Sequence, residues 1–414
     1  MSSQDSDIGP FSYLPSLVDA RPMGALWRGV LRQLSRRWVG GELTIELPSG
    51  ERMLLSKPAL GPVEWPQATV RLHHWRAVRR VLFGGDIGFA EAYADGDWST
   101  PDLTALLVLM DRNDASLAGM RGLAPLRLLA RLRHLGRANT RRGSRRNISA
   151  HYDLGNEFYA QWLDSDMSYS SAIYRDPAVS LEEAQRAKQA RIIELLDLAG
   201  GESVLEIGCG WGGLAEAMVR QGADVTGITL SPRQLDHARR RFTGFGDSVT
   251  LRLQDYRDVP GSYDRIVSVE MIEAVGEQNW STYFRCLKDR LKPGGSAVLQ
   301  AITLDEPRFA AYRSGTDFIQ QYIFPGGMLP TKSVMLREAA RAGLTLETVE
   351  TFAAGYERTL AVWSERFDAA WPNIAALGFT ERFRRLWSYY LAYCRAGFVT
   401  GALDVGFYRL RHQG

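Results

Sequence analysis

Cysteine is scarce in this chain. Its 414 residues include three, Cys209, Cys286 and Cys394, dispersed with no paired spacing. That excludes a disulfide framework and a thiolate zinc site, and it fits a reducing compartment. Histidine is nearly as rare: His73, His74, His134, His151, His237 and His412 make no cluster with cysteine or carboxylate at metal-ligand spacing. No apolar run approaches the roughly 18 residues of a membrane span. Met1-Ser-Ser-Gln-Asp-Ser-Asp7 is too polar and acidic for a signal peptide. The expectation is a cytoplasmic protein without a metal, peripheral on the inner face of a membrane if it touches one.

Acidic residues are missing from one long segment. None lies between Ala115 and Tyr152, while Arg121, Arg127, Arg131, Arg133, Arg137, Arg141, Arg142, Arg145 and Arg146 all do. Leu123 to Leu135 interleaves leucine with arginine, as a basic amphipathic helix would, and Ala138 to Arg146 reads as a polar linker. Arg121–Arg146 is therefore either a solvated interdomain linker or a contact with an anionic membrane surface, worth about 1 kcal/mol per cation near such a bilayer. A formal net charge of only +3 and the lack of a recognition motif argue against nucleic acid as a partner.

What is present is ordinary globular composition, 45% hydrophobic and 23% charged, at a length that suits two or three domains. Residues 1–120 read as a small α+β module. Helical spacing runs from Leu26 to Trp38, and strand alternation marks Glu42–Leu47, Met53–Leu55 and Ala68–Leu72. Helices are expected at Trp75–Phe83 and Leu103–Met110, the first ending at Gly84-Gly85. This module is a folding or docking unit, or one that presents lipid. The Arg-rich segment 121–146 separates it from 147–414, which carries the chemistry.

That second part alternates as a doubly wound α/β sheet should: strands at 204–207, 225–228, 249–253, 263–269 and 296–302, with helices between them. Val204-Leu-Glu-Ile-Gly-Cys-Gly-Trp-Gly-Gly213 is a strand, a glycine turn and a helix start. A dinucleotide site wants an acid about 20 residues on, and Ile228-Thr-Leu-Ser231 stands there instead. With Glu206 inside the loop, followed by Gly208, Gly210 and Gly212, S-adenosylmethionine is favoured over NAD. Ligands bind at the carboxyl ends of such strands, so chemistry is expected at 208–213, 229–234, 255–256, 270–273 and 300–302. Thr229, Ser231 and Gln234 suit ribose hydroxyls, and Asp255-Tyr256 offers adenine an acceptor and a stacking surface.

Several motifs stand in a telling order: His151-Tyr-Asp-Leu-Gly-Asn156, Tyr169-Ser170, Glu206–Gly213, Gln254-Asp-Tyr-Arg257, Glu270-Met-Ile-Glu-Ala-Val-Gly276, Tyr322-Ile-Phe-Pro-Gly-Gly327, Leu329-Pro330 and Tyr356. This order resembles the cyclopropane-fatty-acyl-phospholipid synthase family, which includes the mycolic acid methyltransferases. The resemblance is strong over 147–414 and loose before it. It implies a class I methyltransferase fold, S-adenosylmethionine as donor, and a cis-unsaturated acyl chain of a membrane phospholipid as acceptor. It also implies that Tyr169 and Ser170 contact the donor, and that Ser171, Glu273, Gln300, Ile302 and Tyr356 hold a bicarbonate ion beside it. A homodimer is compatible with this reading.

The chain departs from the best-known bacterial members at Ser171, where they have Cys, and at Gln300 and Ala274, where they have His. Serine and glutamine can donate to an oxyanion, but neither titrates near neutral pH, so neither is the base. The expected reaction holds the alkene in line with the donor methyl, which positioning alone can favour by roughly 7–11 kcal/mol. The carbocation that follows is shielded by aromatic faces such as Tyr322, Phe324 or Tyr356. Bicarbonate, positioned by Glu273 and Tyr356, then takes the proton that closes a cyclopropane. Loss of another proton would leave a methyl-branched or methylene chain, and a non-catalytic lipid-binding relative is the third reading. Phe309–Phe324 and Phe383–Phe398 are the expected walls of an acyl tunnel.

Overall fold

The computed structural model describes residues 11–14, 35–58, 64–114, 154–176 and 178–413. The Arg121–Arg146 segment, His151 to Asp153 and most of the Leu26–Trp38 helix expectation lie outside them. Chain contacts divide the molecule into two units. The first holds 1–129 and 379–400; the second holds 130–378 and 401–414.

In the first unit, β1 (Phe11–Leu14), β2 (Gly41–Glu46), β3 (Arg52–Lys57), β4 (Gln67–Leu72) and β5 (Trp98–Ser99) form a sheet in the order β1-β3-β2-β4-β5. Alternation decides its faces: Leu43, Met53, Leu55 and Val70 are buried while their neighbours face out. Helix α1 (Arg76–Ala94) runs further than the sequence suggests. Gly84-Gly85 does not end it; Gly85 takes φ 58, ψ −135, and the helix resumes beyond that kink. Helix α2 (Leu103–Arg112) starts at Asp102, whose side chain accepts from the Ala105 N–H. The helix Glu381–Thr400 belongs with these elements, although the sequence reading grouped it with the catalytic part. Arg382 pairs with Asp95 at 2.7 Å, and Arg385 donates to the carbonyls of Tyr93 and Trp98.

The second unit is built on a seven-stranded sheet. Its members are β6 (Ser203–Ile207), β7 (Asp224–Thr229), β8 (Val249–Leu253), β9 (Tyr263–Val269), β10 (Leu291–Leu304), β11 (Leu344–Thr351) and β12 (Leu403–His412), in the order β11-β12-β10-β9-β6-β7-β8. Strands β6 to β10 are parallel, and β12 runs antiparallel between β10 and β11. Both faces are covered. Leu205, Ile266 and Leu299 point into one apolar cluster with Tyr283, Phe284 and Leu287; Val204, Val267 and Val298 point into the other with Ile192, Leu196 and Met218. Four helices matter for the site: α3 (Leu181–Leu195), α4 (Gly213–Arg220), α5 (Pro232–Arg241) and α6 (Ala353–Ala369). A capping box starts α3, with Ser180 accepting from the Glu183 N–H and Glu183 accepting from the Ser180 N–H. From β6 the chain winds outward through β7 and β8, then returns to place β9 on the other side of β6. That reversal opens a crevice at the carboxyl ends of β6 and β9, where ligands bind in such sheets.

Candidate active site

A pocket occupies that crevice. Strand β6 gives it Glu206, the turn after it Gly208, Cys209, Gly210 and Trp211, and the start of α4 Gly213; Thr229 and Leu230 come from the end of β7 and Gln234 from α5. Gln254 and Tyr256 come from beyond β8, Glu270 and Met271 from beyond β9, and Asp166 to Ser170 with Lys188 and Gln189 close the remaining side. The turn is held by Ile228, whose carbonyl accepts from the N–H groups of Gly208 and Cys209. Gly208 has φ +85, and a Cβ there would stand 2.5 Å from Met271 Sδ, so both the backbone and the space require glycine.

Most of the expected cofactor residues meet here: Tyr169, Ser170, Glu206, Gly208, Gly210, Thr229, Gln234 and Tyr256 all line the pocket. Gly212, Ser231 and Asp255 do not. Gly212 is the left-handed residue before α4. Ser231 is buried, and its hydroxyl caps α5 by accepting from the Gln234 N–H. Asp255 differs most from expectation, because Arg257 takes its carboxylate: the backbone N–H, Nε and Nη2 of Arg257 all donate to it, at 3.0, 2.8 and 2.6 Å. Gln254 and Tyr256 face the pocket in its place.

The pocket fits a donor with cationic centres. Glu206 is buried, one of its oxygens has no hydrogen-bond partner, and burial pushes its pKa up to about 8, opposed by Lys188. Such a carboxylate would gain most from a positive group beside it. Behind Tyr169 lies an aromatic cluster, with Tyr159, Trp162 and Trp363 at 5.4, 5.6 and 5.3 Å between ring centroids.

The five residues expected to hold bicarbonate separate into two groups. Three of them converge on Glu270. The Ser171 N–H donates to Glu270 Oε1 at 2.9 Å, Gln300 Nε2 to the same oxygen at 2.8 Å, and the Tyr356 hydroxyl to Oε2 at 2.7 Å. The other two pair with each other: the Ile302 N–H donates to Glu273 Oε1 at 2.6 Å. The second Glu273 oxygen is buried without a partner, and burial, then the neighbouring Glu270 charge, pushes its pKa up to about 8. Ser171 uses its backbone, not its hydroxyl, which donates to the Ala172 carbonyl.

Glu270 lies in the segment 270–273 where chemistry is expected, and the resemblance implies no role for it. It sits at the end of β9 with φ +50, in the left-handed region that non-glycine residues seldom occupy. Its N–H donates to the Gln300 carbonyl at 2.8 Å, which anchors that turn. Burial raises its pKa, while the Ser171 N–H, Tyr356, Lys188 and Gln300 act to lower it. Lys188 was not singled out either; a lysine on an amphipathic helix ordinarily reads as solvated surface. Of the expected tunnel walls, Phe309–Phe324 contains buried Phe318 and Ile323 in the second unit, and Phe383–Phe398 falls on the helix of the first. Among the described residues no group of His, Cys, Asp and Glu could hold a metal, and no helix is long and apolar enough to cross a membrane.

Comparison with known proteins agrees with this fold. The family model for mycolic acid cyclopropane synthetase matches residues 139–407. Tuberculostearic acid methyltransferase of Mycobacterium tuberculosis is 42% identical over 81% of each chain. The cyclopropane-fatty-acyl-phospholipid synthase of Escherichia coli is 37% identical over 83% of this chain and 88% of its own. Among solved structures, mycolic acid cyclopropane synthase CmaA1, complexed with S-adenosylhomocysteine (SAH) and CTAB, superposes with a TM-score of 0.61 at 29% identity, covering 64% of this chain and 98% of that one. Coclaurine N-methyltransferase, at 17% identity and a TM-score of 0.61, shares the fold. Matches of this reach establish kinship: the chain belongs to the mycolic acid cyclopropane synthetase family and is an S-adenosylmethionine-dependent methyltransferase.

Proposed function

We propose that this enzyme methylates the cis double bond of an unsaturated acyl chain in a membrane phospholipid, and that the Glu270 carboxylate takes the proton released afterwards. One observation carries the reading: three of the residues expected to hold a bicarbonate ion, Ser171 through its backbone N–H, Gln300 and Tyr356, donate to Glu270. A fixed carboxylate with three donors has the charge and shape of a bound bicarbonate and needs no exogenous anion. When bound, S-adenosylmethionine supplies an electrophilic methyl group.

The alkene π electrons form the new carbon–carbon bond as the methyl–sulfur bond breaks, its electron pair stays on the departing thioether sulfur, and a cation remains on the acyl chain. Tyr356, whose ring packs edge-on to Trp363 at 6.1 Å, offers an aromatic surface near that charge while its hydroxyl keeps Glu270 oriented. Glu270 then accepts a proton. If it comes from the transferred methyl, its bonding electrons close a cyclopropane, the product that the resemblance implies. If it comes from a neighbouring chain carbon, its bonding electrons form a chain double bond beside a methyl branch; a 1,2-hydride shift followed by proton loss from the methyl leaves a methylene branch. That second reading is favoured by the 42% identity to an enzyme named for tuberculostearic acid, a methyl-branched fatty acid. In either case the lipid gains one methylene unit.

The test is the purified enzyme with unsaturated phospholipid vesicles and S-adenosylmethionine, in buffer stripped of carbon dioxide and again with added bicarbonate. Turnover that is equal in the two buffers and lost in Glu270→Gln supports Glu270 as the base. Turnover that requires bicarbonate returns that role to the anion. Mass spectrometry with ring-specific NMR of the product separates cyclopropane from branch, and lipids of unchanged mass would overturn the substrate assignment.

A further inference from the structure

The pocket holds three acids, Asp166, Glu206 and Glu270, and among its described lining residues a single cationic side chain, Lys188. S-adenosylmethionine carries two positive groups, a sulfonium and an ammonium, and one negative group, its carboxylate. Charge matching therefore leaves one partner for each sign: acids for the cations, and Lys188 for the carboxylate. We propose that Lys188 binds the carboxylate of the donor's amino-acid end, and so sets which end of the pocket that moiety occupies.

The geometry around Lys188 supports this. It lies on α3, is 3% exposed, and its Nζ donates to Ser170 Oγ at 2.6 Å. An ammonium has three hydrogens to give, and that bond accounts for one. One turn earlier on the same face, Gln185 donates to the Ser170 carbonyl at 2.9 Å, so α3 fixes both the backbone and the hydroxyl of Ser170. Ser170 and Lys188 both line the pocket, and a hydroxyl beside an ammonium is a donor set suited to both oxygens of a carboxylate. The groups that act on Lys188 are Glu270, Asp164 and Glu206. Asp164 accepts from the N–H groups of Asp166 and Ser168, which holds the loop below the pocket. Burial lowers the Lys188 pKa to about 8, against the pull of those acids. A buried ammonium in that state gains from an added anion.

The proposal rests on this pocket being the donor site, and calorimetric titration of the full-length enzyme tests both. Three probes are used: SAH, its decarboxylated analogue, and 5′-methylthioadenosine, which lacks the amino-acid end. Wild type is expected to bind SAH at least about tenfold more tightly than the decarboxylated analogue, the size of a charge-assisted contact. Lys188→Met should reduce that preference to about twofold or less and leave 5′-methylthioadenosine affinity unchanged, with Lys188→Arg retaining part of it. Equal weakening of all three probes in Lys188→Met would show a structural role and overturn the proposal. Equal affinity of wild type for SAH and its decarboxylated analogue would overturn it without any variant, even if Lys188→Met does not fold. Wild type that binds none of the three would remove the donor site itself, an outcome distinct from loss of the carboxylate preference.

Discussion

The hydroxyl of Tyr356, on α6, meets the carboxylate of Glu270, at the end of β9, across 2.7 Å. This bond lowers the Glu270 pKa against the rise caused by burial. Tyr356→Phe keeps the ring and deletes the donor. We expect turnover to fall about 10–100-fold, the weight of one hydrogen bond to a charged group at about 1.5–3 kcal/mol, with SAH affinity unchanged. The acidic limb of kcat/KM should also move to higher pH, because the base loses a bond that favoured its charged form. A profile that falls uniformly without moving would mean that Tyr356 shapes the cavity alone.

Glu273 sets a pH dependence of stability. In the unfolded chain it loses its proton near its ordinary pKa of 4.5, and in the folded protein at about 8. Between those values the folded state binds the extra proton, so stability falls as pH rises through the window. Glu273→Gln preserves an oxygen for the Ile302 N–H and has no charge to bury. Thermal unfolding of the ligand-free protein should therefore lose less Tm between pH 5 and pH 8 in the variant than in wild type. Glu206, raised for the same reason, keeps its own share of the slope in both. Parallel curves would refute the assignment to Glu273.

Gly208→Ala combines two costs, a left-handed backbone and a Cβ 2.5 Å from Met271 Sδ. SAH affinity should drop by at least about tenfold, since the strained turn must shift to relieve the contact. Gly261→Ala is the control: φ is +82 there too, but nothing lies within 4 Å of the added carbon. It should lower Tm and leave SAH binding intact, as calorimetry would show.

At the start of α3, Ser180→Ala removes one half of the capping box. A typical N-cap loss predicts a Tm lower by about 2–4 °C. Ser180→Gly should lose less, because glycine is a tolerable N-cap. Since α3 also carries Gln185 and Lys188, slower turnover in Ser180→Ala at a temperature where the fold is intact would show fraying transmitted to Ser170.

How much of this was legible in the residues follows from the range of the forces involved. Strands β6 to β9 and the turn after β6 could be read closely, because period-two burial and glycine turns are local signals. Helix α1 could not. A glycine pair is a strong local breaker, yet here Gly85 absorbs the disruption at one residue and helical residues continue to Ala94. Asp255 was legible as a polar group at a strand end, but not its capture by Arg257 two residues later, which depends on side-chain conformation. The resemblance implies an anion held by Ser171, Gln300 and Tyr356, and all three donate to Glu270. That their anion is a residue of the chain itself depends on the left-handed turn at Glu270, a conformation that its own sequence does not announce.

The chain leaves the second unit at Gly378, supplies the helix Glu381–Thr400 to the first, and returns at Gly401 to lay β12 between β10 and β11. Neither unit is therefore a contiguous stretch of gene. An amino-terminal fragment would lack the helix that covers α1 and α2. A carboxy-terminal fragment would expose Trp387, Tyr389, Tyr390 and Leu391, which that helix buries in the intact protein. Expressed apart, each piece should aggregate, and mixing the two during refolding should restore the enzyme.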